Sequence, residues 1–236
     1  DGGGSWDKLA VPTPQGVPPM PFPIRVIRIV SDPTNPDEIY AGLEVNGVVR
    51  SLDGGDTWSD ISGDLLALAK HEHLQSGEVT GDPNEGMMDT HSLTISRAHP
   101  GTVILANRMG LFRSTDKGDN WQEMGIGKFS PLTYARDVLA SPHEPECLYS
   151  ALSIAAISDA GSLYRSRDFG ETWQRFDDDQ PIDSTLMIIA QSPRTADRIY
   201  YAARLGQVFG TEDGGGTWRP VPLPDGTGGV YALACS

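Results

Sequence analysis

One short pattern recurs so regularly along this chain that it constrains the architecture before any other property is considered. Ser51-Leu52-Asp53-Gly54-Gly55-Asp56-Thr57-Trp58 returns as Ser114 to Trp121, as Ser166 to Trp173 and as Thr211 to Trp218, always with the form S/T-x-D-x-G-x-T/N-W. The chain itself opens inside a further copy, Asp1-Gly2-Gly3-Gly4-Ser5-Trp6. All 5 tryptophans of the protein close one of these boxes, so the chain is built from repeats. In each box the Asp carboxylate is suited to accept hydrogen bonds from backbone N–H groups of its own turn. The Gly two residues on supplies a positive φ, and the Trp starts the next strand with a ring to bury. The box is thus a stapled hairpin turn. Its carboxylates Asp1, Asp53, Asp116, Asp168 and Asp213 are expected to be structural, because copies spread along one rim cannot converge on one site.

Between boxes the pattern continues. A first apolar strand lies at Val26 to Val30, Leu93 to Ile95, Val138 to Ala140 and Met187 to Ala190. A Pro-rich or polar turn follows, then a second strand such as Ile39-Tyr40-Ala41-Gly42 or Ile199-Tyr200-Tyr201-Ala202, and a third such as Gly47-Val48-Val49-Arg50. The Trp opens the fourth. Four short antiparallel strands per roughly 50 residues is the blade of an all-β propeller. The expected fold is therefore a β-propeller of four-stranded antiparallel blades with box turns, forming a single domain over residues 1–236. Four blades read as complete and two as partial. Residues 5–10 are expected on an outer strand and Gly229 to Cys235 on an innermost one, as in the C-terminal part of a longer propeller, or in a ring closed by pairing the two partial blades.

The box aspartates are spaced by 52, 63, 52 and 45 residues. The long interval carries an insertion between Gly63 and Met88, expected to overhang a binding face. Acidic residues outnumber basic ones 32 to 18, a net charge of -14. That field repels a phosphate backbone, so nucleic acid is not an expected partner. No apolar run approaches the ~18 residues of a membrane helix, and no secretory signal is legible. The composition suits a soluble chain, cytoplasmic or secreted with a preceding part missing. Cys147 and Cys235 are expected as two buried thiols rather than a disulfide. No Gly-rich phosphate loop, nucleophile elbow or paired-Cys motif appears, and no cofactor is expected.

The box resembles the Asp-box, or bacterial neuraminidase (BNR), repeat, and the chain resembles the bacterial sialidase-like, glycosyl hydrolase BNR-repeat proteins. The resemblance implies the propeller firmly. It implies activity less directly, since such propellers include hydrolases, lyases and binding scaffolds. It also implies, for a sialidase, a Phe/Tyr-Arg-Ile-Pro motif, and the nearest string here, Pro23-Ile24-Arg25-Val26, departs from it.

Aligned on their turns, the innermost strands place Ile27, His91, Arg136, Met187 and Tyr231 at one position. Arg25, Asp89, Tyr134, Thr185 and Gly229 stand two residues earlier. A core position would be aliphatic in every repeat, so these polar departures mark a candidate surface around the axis. Glu44, Asn107-Arg108 and Arg204 occupy similar offsets after the second strands. The candidate catalytic pair is Glu44 and Asp89, as general acid and base on a glycan. Arg25, Arg108, Arg136 and Arg204 are candidate substrate ligands, with His91 and Tyr134 assisting, and Arg108, Arg136 and Arg204 are expected to form an anion clamp. His71 and His73 share one side of an extended segment, but without a metal spacing signature solvated histidines are the plainer reading. The expected partner is a glycan or other small ligand bound in the funnel, or alternatively a protein or peptide on a non-catalytic scaffold.

Overall fold

A computed structural model describes residues 2–236, so Asp1 and its part of the first box lie outside the described residues. The chain is all-β, with four four-stranded antiparallel sheets, each a simple meander in chain order. The first contains β1 (Val26–Asp32), β2 (Asn35–Leu43), β3 (Gly47–Ser51) and β4 (Ser59–Asp60). The second contains β5 (Thr90–Ile95), β6 (Val103–Asn107), β7 (Gly110–Ser114) and β8 (Gln122–Glu123). The third contains β9 (Tyr134–Ala140), β10 (Leu148–Ser153), β11 (Gly161–Ser166) and β12 (Gln174–Arg175). The fourth contains β13 (Leu186–Gln191), β14 (Ile199–Ala203), β15 (Val208–Thr211) and β16 (Arg219–Pro220). Helix is confined to α1 (Gly63–Leu68), α2 (Glu85–Met88) and two short 3-10 turns at Glu72–Leu74 and Ile126–Lys128. The first strands of successive sheets pack on one another, β1 on β5, β5 on β9 and β9 on β13.

The boxes staple the β3–β4 type hairpins. In the second sheet Ser114 Oγ donates to Asp116 Oδ1 at 2.8 Å, Asn120 N to the same oxygen at 2.9 Å, and Asn120 Nδ2 to Oδ2 at 2.7 Å. Asp53, Asp168 and Asp213 repeat the arrangement with Thr57, Thr172 and Thr217. These bonds to the charged form hold the carboxyls of Asp53 and Asp213 near about 2, with the side-chain hydrogen bonds from Thr57 and Thr211 foremost.

The box also joins one sheet to the next. Gly118 has φ +95° and Gly215 φ +91°, and a β-carbon on either would overlap Ile61 or Phe176 respectively. Each of those apolar side chains stands three residues after the Trp of the preceding box, as does Met124, which meets Gly170 in the same way. Arg50 donates to Lys117 O and Asp119 of the next box, and Arg113 to Phe169 O and Glu171 of the one after. Apolar clusters fill the seams: Tyr40, Leu93, Phe112 and Trp121 in the first, Ile104, Leu148 and Trp173 in the second, Tyr149, Tyr201 and Trp218 in the third.

Several expectations need correction. Residues 5–10 and 229–236 form no strand, because no described segment pairs with them in a ladder. Their packing nonetheless follows the repeat. Leu9, three residues after Trp6, lies beside Gly55 of the first box. Val230 N donates to Arg204 O and Ser192 Oγ to Ser236 O, so the last segment runs along the fourth sheet. Trp6 is 88% exposed, with no described sheet packed on it, and Trp58 is only half-buried, whereas Trp121, Trp173 and Trp218 are buried. None of residues 64–88 lines the cleft bounded by Ile27, His91, Arg136 and Met187. The insertion folds into the first seam, burying Leu65, Leu74, Met87 and Met88. Both cysteines are free, with Cys147 buried and Cys235 half-buried.

Candidate functional site

The four innermost strands share a defect near their starts. In β1 the register steps from Val26↔Leu43 to Arg28↔Gly42, leaving Ile27 without a partner. In β5 it skips His91, in β9 Arg136 and in β13 Met187. A bulge at the same place in every sheet turns one side chain out of the alternation and aims it elsewhere. All four aim at one cleft of about 310 Å³, whose lining also includes Tyr231. The aligned position read from the sequence is thus the bulge position. The sequence signal for it was the loss of aliphatic character at His91 and Arg136. Nothing in single-sequence patterning signals the bulge itself.

Glu44, Asp89, Tyr134 and Arg204 line the same cleft. Just past the bulges lies a polar hub. The buried Asp137 carboxylate accepts from Arg28 Nη2 at 2.8 Å, Ser92 Oγ at 2.6 Å and Ile189 N at 2.9 Å, which ties strands from four sheets together. Burial pushes the Asp137 carboxyl up, against the charge of Arg28. This hub was not anticipated. Arg28, Ser92 and Asp137 follow the bulges directly and are equivalent in the repeat.

Asp89 stands at the end of α2, where the insertion meets β5. Its Oδ2 lies 2.8 Å from Arg108 Nη2 and 3.3 Å from His91 Nε2. Burial pushes this carboxyl up, but the hydrogen bond and charge of His91 and the guanidinium of Arg108 outweigh it and hold it at about 2. Asp89 is therefore held as the anion near neutral pH. His91 Nδ1 lies 2.8 Å from Ala135 O and so carries a proton, and Nε2 also meets Tyr134 Oη at 3.2 Å. Burial pushes the Tyr134 phenol up to about 12, which keeps it a hydrogen-bond donor.

The expected three-arginine clamp does not assemble. Arg108 is turned toward the insertion, with Nη1 2.8 Å from Glu85 and 3.6 Å from Glu78. Glu85 is fully buried at the start of α2, and its carboxylate also accepts from the backbone N–H groups of Val79 and Thr80. Arg108 thus fastens the insertion to Asp89 and is spent on carboxylates of its own chain. Arg25 lies at the edge, 61% exposed, with Nη1 3.1 Å from Glu44 Oε2. Only Arg136 and Arg204 of the four arginines reach the cleft lining. His73 pairs with Glu123 at 3.0 Å, well away from this cleft, and no group of three potential metal ligands gathers among the described residues. None of the lining residues belongs to a box.

Comparison with known proteins agrees with the repeat. The BNR/Asp-box repeat model matches residues 164–175. A xyloglucanase from Acetivibrio thermocellus is 23% identical over 245 residues, covering 92% of this chain and 27% of that enzyme. The chain therefore spans about a quarter of the length of that relative. Among solved structures, the GH74 xyloglucanase from Xanthomonas campestris superposes with a TM-score of 0.62 at 15% identity, over 83% of this chain and 29% of that one. YCF48 from Cyanidioschyzon merolae superposes with a TM-score of 0.53 at 13% identity, over 88% of this chain and 59% of that one. At these identities the structural likeness concerns the fold. The enzymes among these relatives are xyloglucanases, so the sialidase side of the resemblance gains no support.

Proposed function

We propose that this Asp-box (BNR repeat) chain is a single β-propeller domain, its four sheets serving as blades, and that its axial cleft binds a glycan in a glycoside-hydrolase-like role. The observation that carries the reading is the convergence of four bulged residues, Arg136 among them, with two carboxylates and Arg204 on one cleft of about 310 Å³. A cleft of this size, with convergent polar groups at the ends of several strands, is the usual form of a small-ligand site. The similarity to xyloglucanases supports a carbohydrate as the ligand.

The chemistry divides unequally between the two carboxylates. Asp89, held ionised by His91 and Arg108, suits a base, a nucleophile or an anion facing an oxocarbenium-like centre. Glu44, the second carboxylate of the cleft, is paired with the exposed Arg25 and completes the candidate pair. Arg136 and Arg204 supply donors to sugar hydroxyls, and His91 and Tyr134, bonded to each other, hold Asp89 in place. A second reading, a non-catalytic scaffold for a protein or peptide, draws on the exposed apolar side chains Ile154, Ile157, Leu205 and Tyr231.

The test is calorimetric titration of the whole chain with xyloglucan and other β-glucan oligosaccharides, alongside release of reducing ends. Turnover that is lost in Glu44→Gln and Asp89→Asn supports the enzyme. Binding without turnover supports a glycan scaffold. No binding of any glycan, with capture of an extended peptide instead, would overturn the proposal in favour of the second reading.

A further inference from the structure

We infer that the cleft selects an acidic sugar, with Arg136 and Arg204 forming a subsite for the carboxylate of a uronate-bearing glycan. This rests on the glycan reading above and narrows it to a substrate class. The starting point is the balance of charge. Glu44 is answered by Arg25, and Asp89 by Arg108. Arg136 and Arg204 line the same cleft, and neither has a carboxylate within ion-pair distance among the described residues. Other arginines also lack a carboxylate, Arg97 and Arg219 among them, but Arg136 and Arg204 are the two that line the cleft. Two uncompensated, half-buried guanidiniums therefore face the cleft. Arg136 is aimed there by the bulge in β9. A guanidinium fork pairs best with a planar carboxylate.

The rest of the lining says what carries that carboxylate. Tyr231 and Ile157 also face the cleft and are 66% and 76% exposed. They offer a flat ring and an aliphatic surface to the C–H face of a pyranose. A free inorganic anion has no use for that surface, and a neutral hexose has none for the arginines. A uronic acid uses both. The net charge of -14 repels a densely charged polyanion. The structure therefore points to isolated uronates on an otherwise neutral chain.

The experiment titrates the full chain with a xylo-oligosaccharide bearing one glucuronic acid, and with the same oligosaccharide after reduction of its carboxyl. The acid form is expected to bind about tenfold tighter or more, a margin that shrinks as salt is raised. Arg136→Gln and Arg204→Gln should each bring the ratio toward one, whereas Tyr231→Ala should weaken both ligands alike. Thermal midpoints monitor folding, and if Arg136→Gln fails to fold, Arg204→Gln carries the test. Equal affinity for the two forms overturns the uronate subsite and leaves the glycan reading standing. Failure of both to bind, together with failure of neutral β-glucans, overturns both.

Discussion

Replacing Arg108 by Met tests whether the insertion is fastened to the cleft as described. Met keeps much of the aliphatic stem and removes the guanidinium. Three hydrogen bonds vanish, to Glu85 at 2.8 Å and to Asp89 at 2.8 and 3.3 Å. Two buried carboxylates then lose their cation, a change that typically costs about 3–5 kcal/mol. Glu85 keeps the N–H groups of Val79 and Thr80, and Asp89 keeps His91, which places the expected loss near the lower end, about 3 kcal/mol. For a chain of this size that is a fall in Tm of roughly 6–12 °C. The pH dependence follows from Asp89. A carboxyl depressed from 3.8 to about 2 contributes stability above its unfolded value that is lost as pH falls from about 4 through about 2. Removing Arg108 takes away part of what depresses this carboxyl, so its folded and unfolded values draw together and less of the stability should be lost to acid between about pH 4 and 2 in the variant. Urea unfolding followed by tryptophan fluorescence between pH 3 and 8 measures both effects. A loss under about 1 kcal/mol at neutral pH, with an unchanged acid limb, would refute the fastening role.

Gly118→Ala should cost about 2–5 kcal/mol, combining left-handed strain with overlap against Ile61, whereas Gly226→Ala, with open space around it, should show the strain alone. Equal denaturation midpoints for the two variants would show that the box glycine is not an inter-sheet socket. Trp121→Ala should cost about 3–5 kcal/mol as a large core truncation, while Trp6→Ala should stay within about 0.5 kcal/mol because its ring is exposed. Chemical denaturation of both separates buried boxes from the opening one.

The repeat made much of the fold legible because the box encodes its own geometry. Ser114, Asp116, Gly118 and Asn120 are all local to one turn, and their hydrogen bonds are those the residue types allow. Four strands per repeat followed from apolar runs between turns, and each run of the four complete repeats appears as a strand. The failures lie where a segment needs something beyond itself. Gly229 to Cys235 has the pattern of an innermost strand, but a strand also requires a ladder, and no described segment supplies one. Trp6 and Trp121 are equivalent in sequence, and burial differs because, among the described residues, Trp121 packs between two sheets and Trp6 does not. Likewise, the bulges at Ile27, His91, Arg136 and Met187 are a matter of register between strands, which alternation along one strand does not report.

Arg108 and Arg204 carry this distinction into the site. Both follow a second strand at matching offsets, so the sequence treats them alike. Their fates differ because the insertion precedes the second sheet and not the fourth. It brings Glu78, Glu85 and Asp89 to Arg108, neutralising it, and it has no aligned counterpart from which that pairing can be read. The fourth sheet follows a short connection with no such helix, and Arg204 keeps its charge for the cleft. The insertion thus acts by subtraction. It takes one arginine out of a set that the repeat offers in common, fixes Asp89 as an anion, and leaves Arg136 and Arg204 as the cations a ligand would meet. Removing the Arg204 charge directly, by Arg204→Met, should impose the same subtraction on the fourth sheet. Loss of acidic-ligand discrimination in that variant, with Arg136 intact, would mark Arg204 as the decisive cation. Retained discrimination would show that Arg136 suffices.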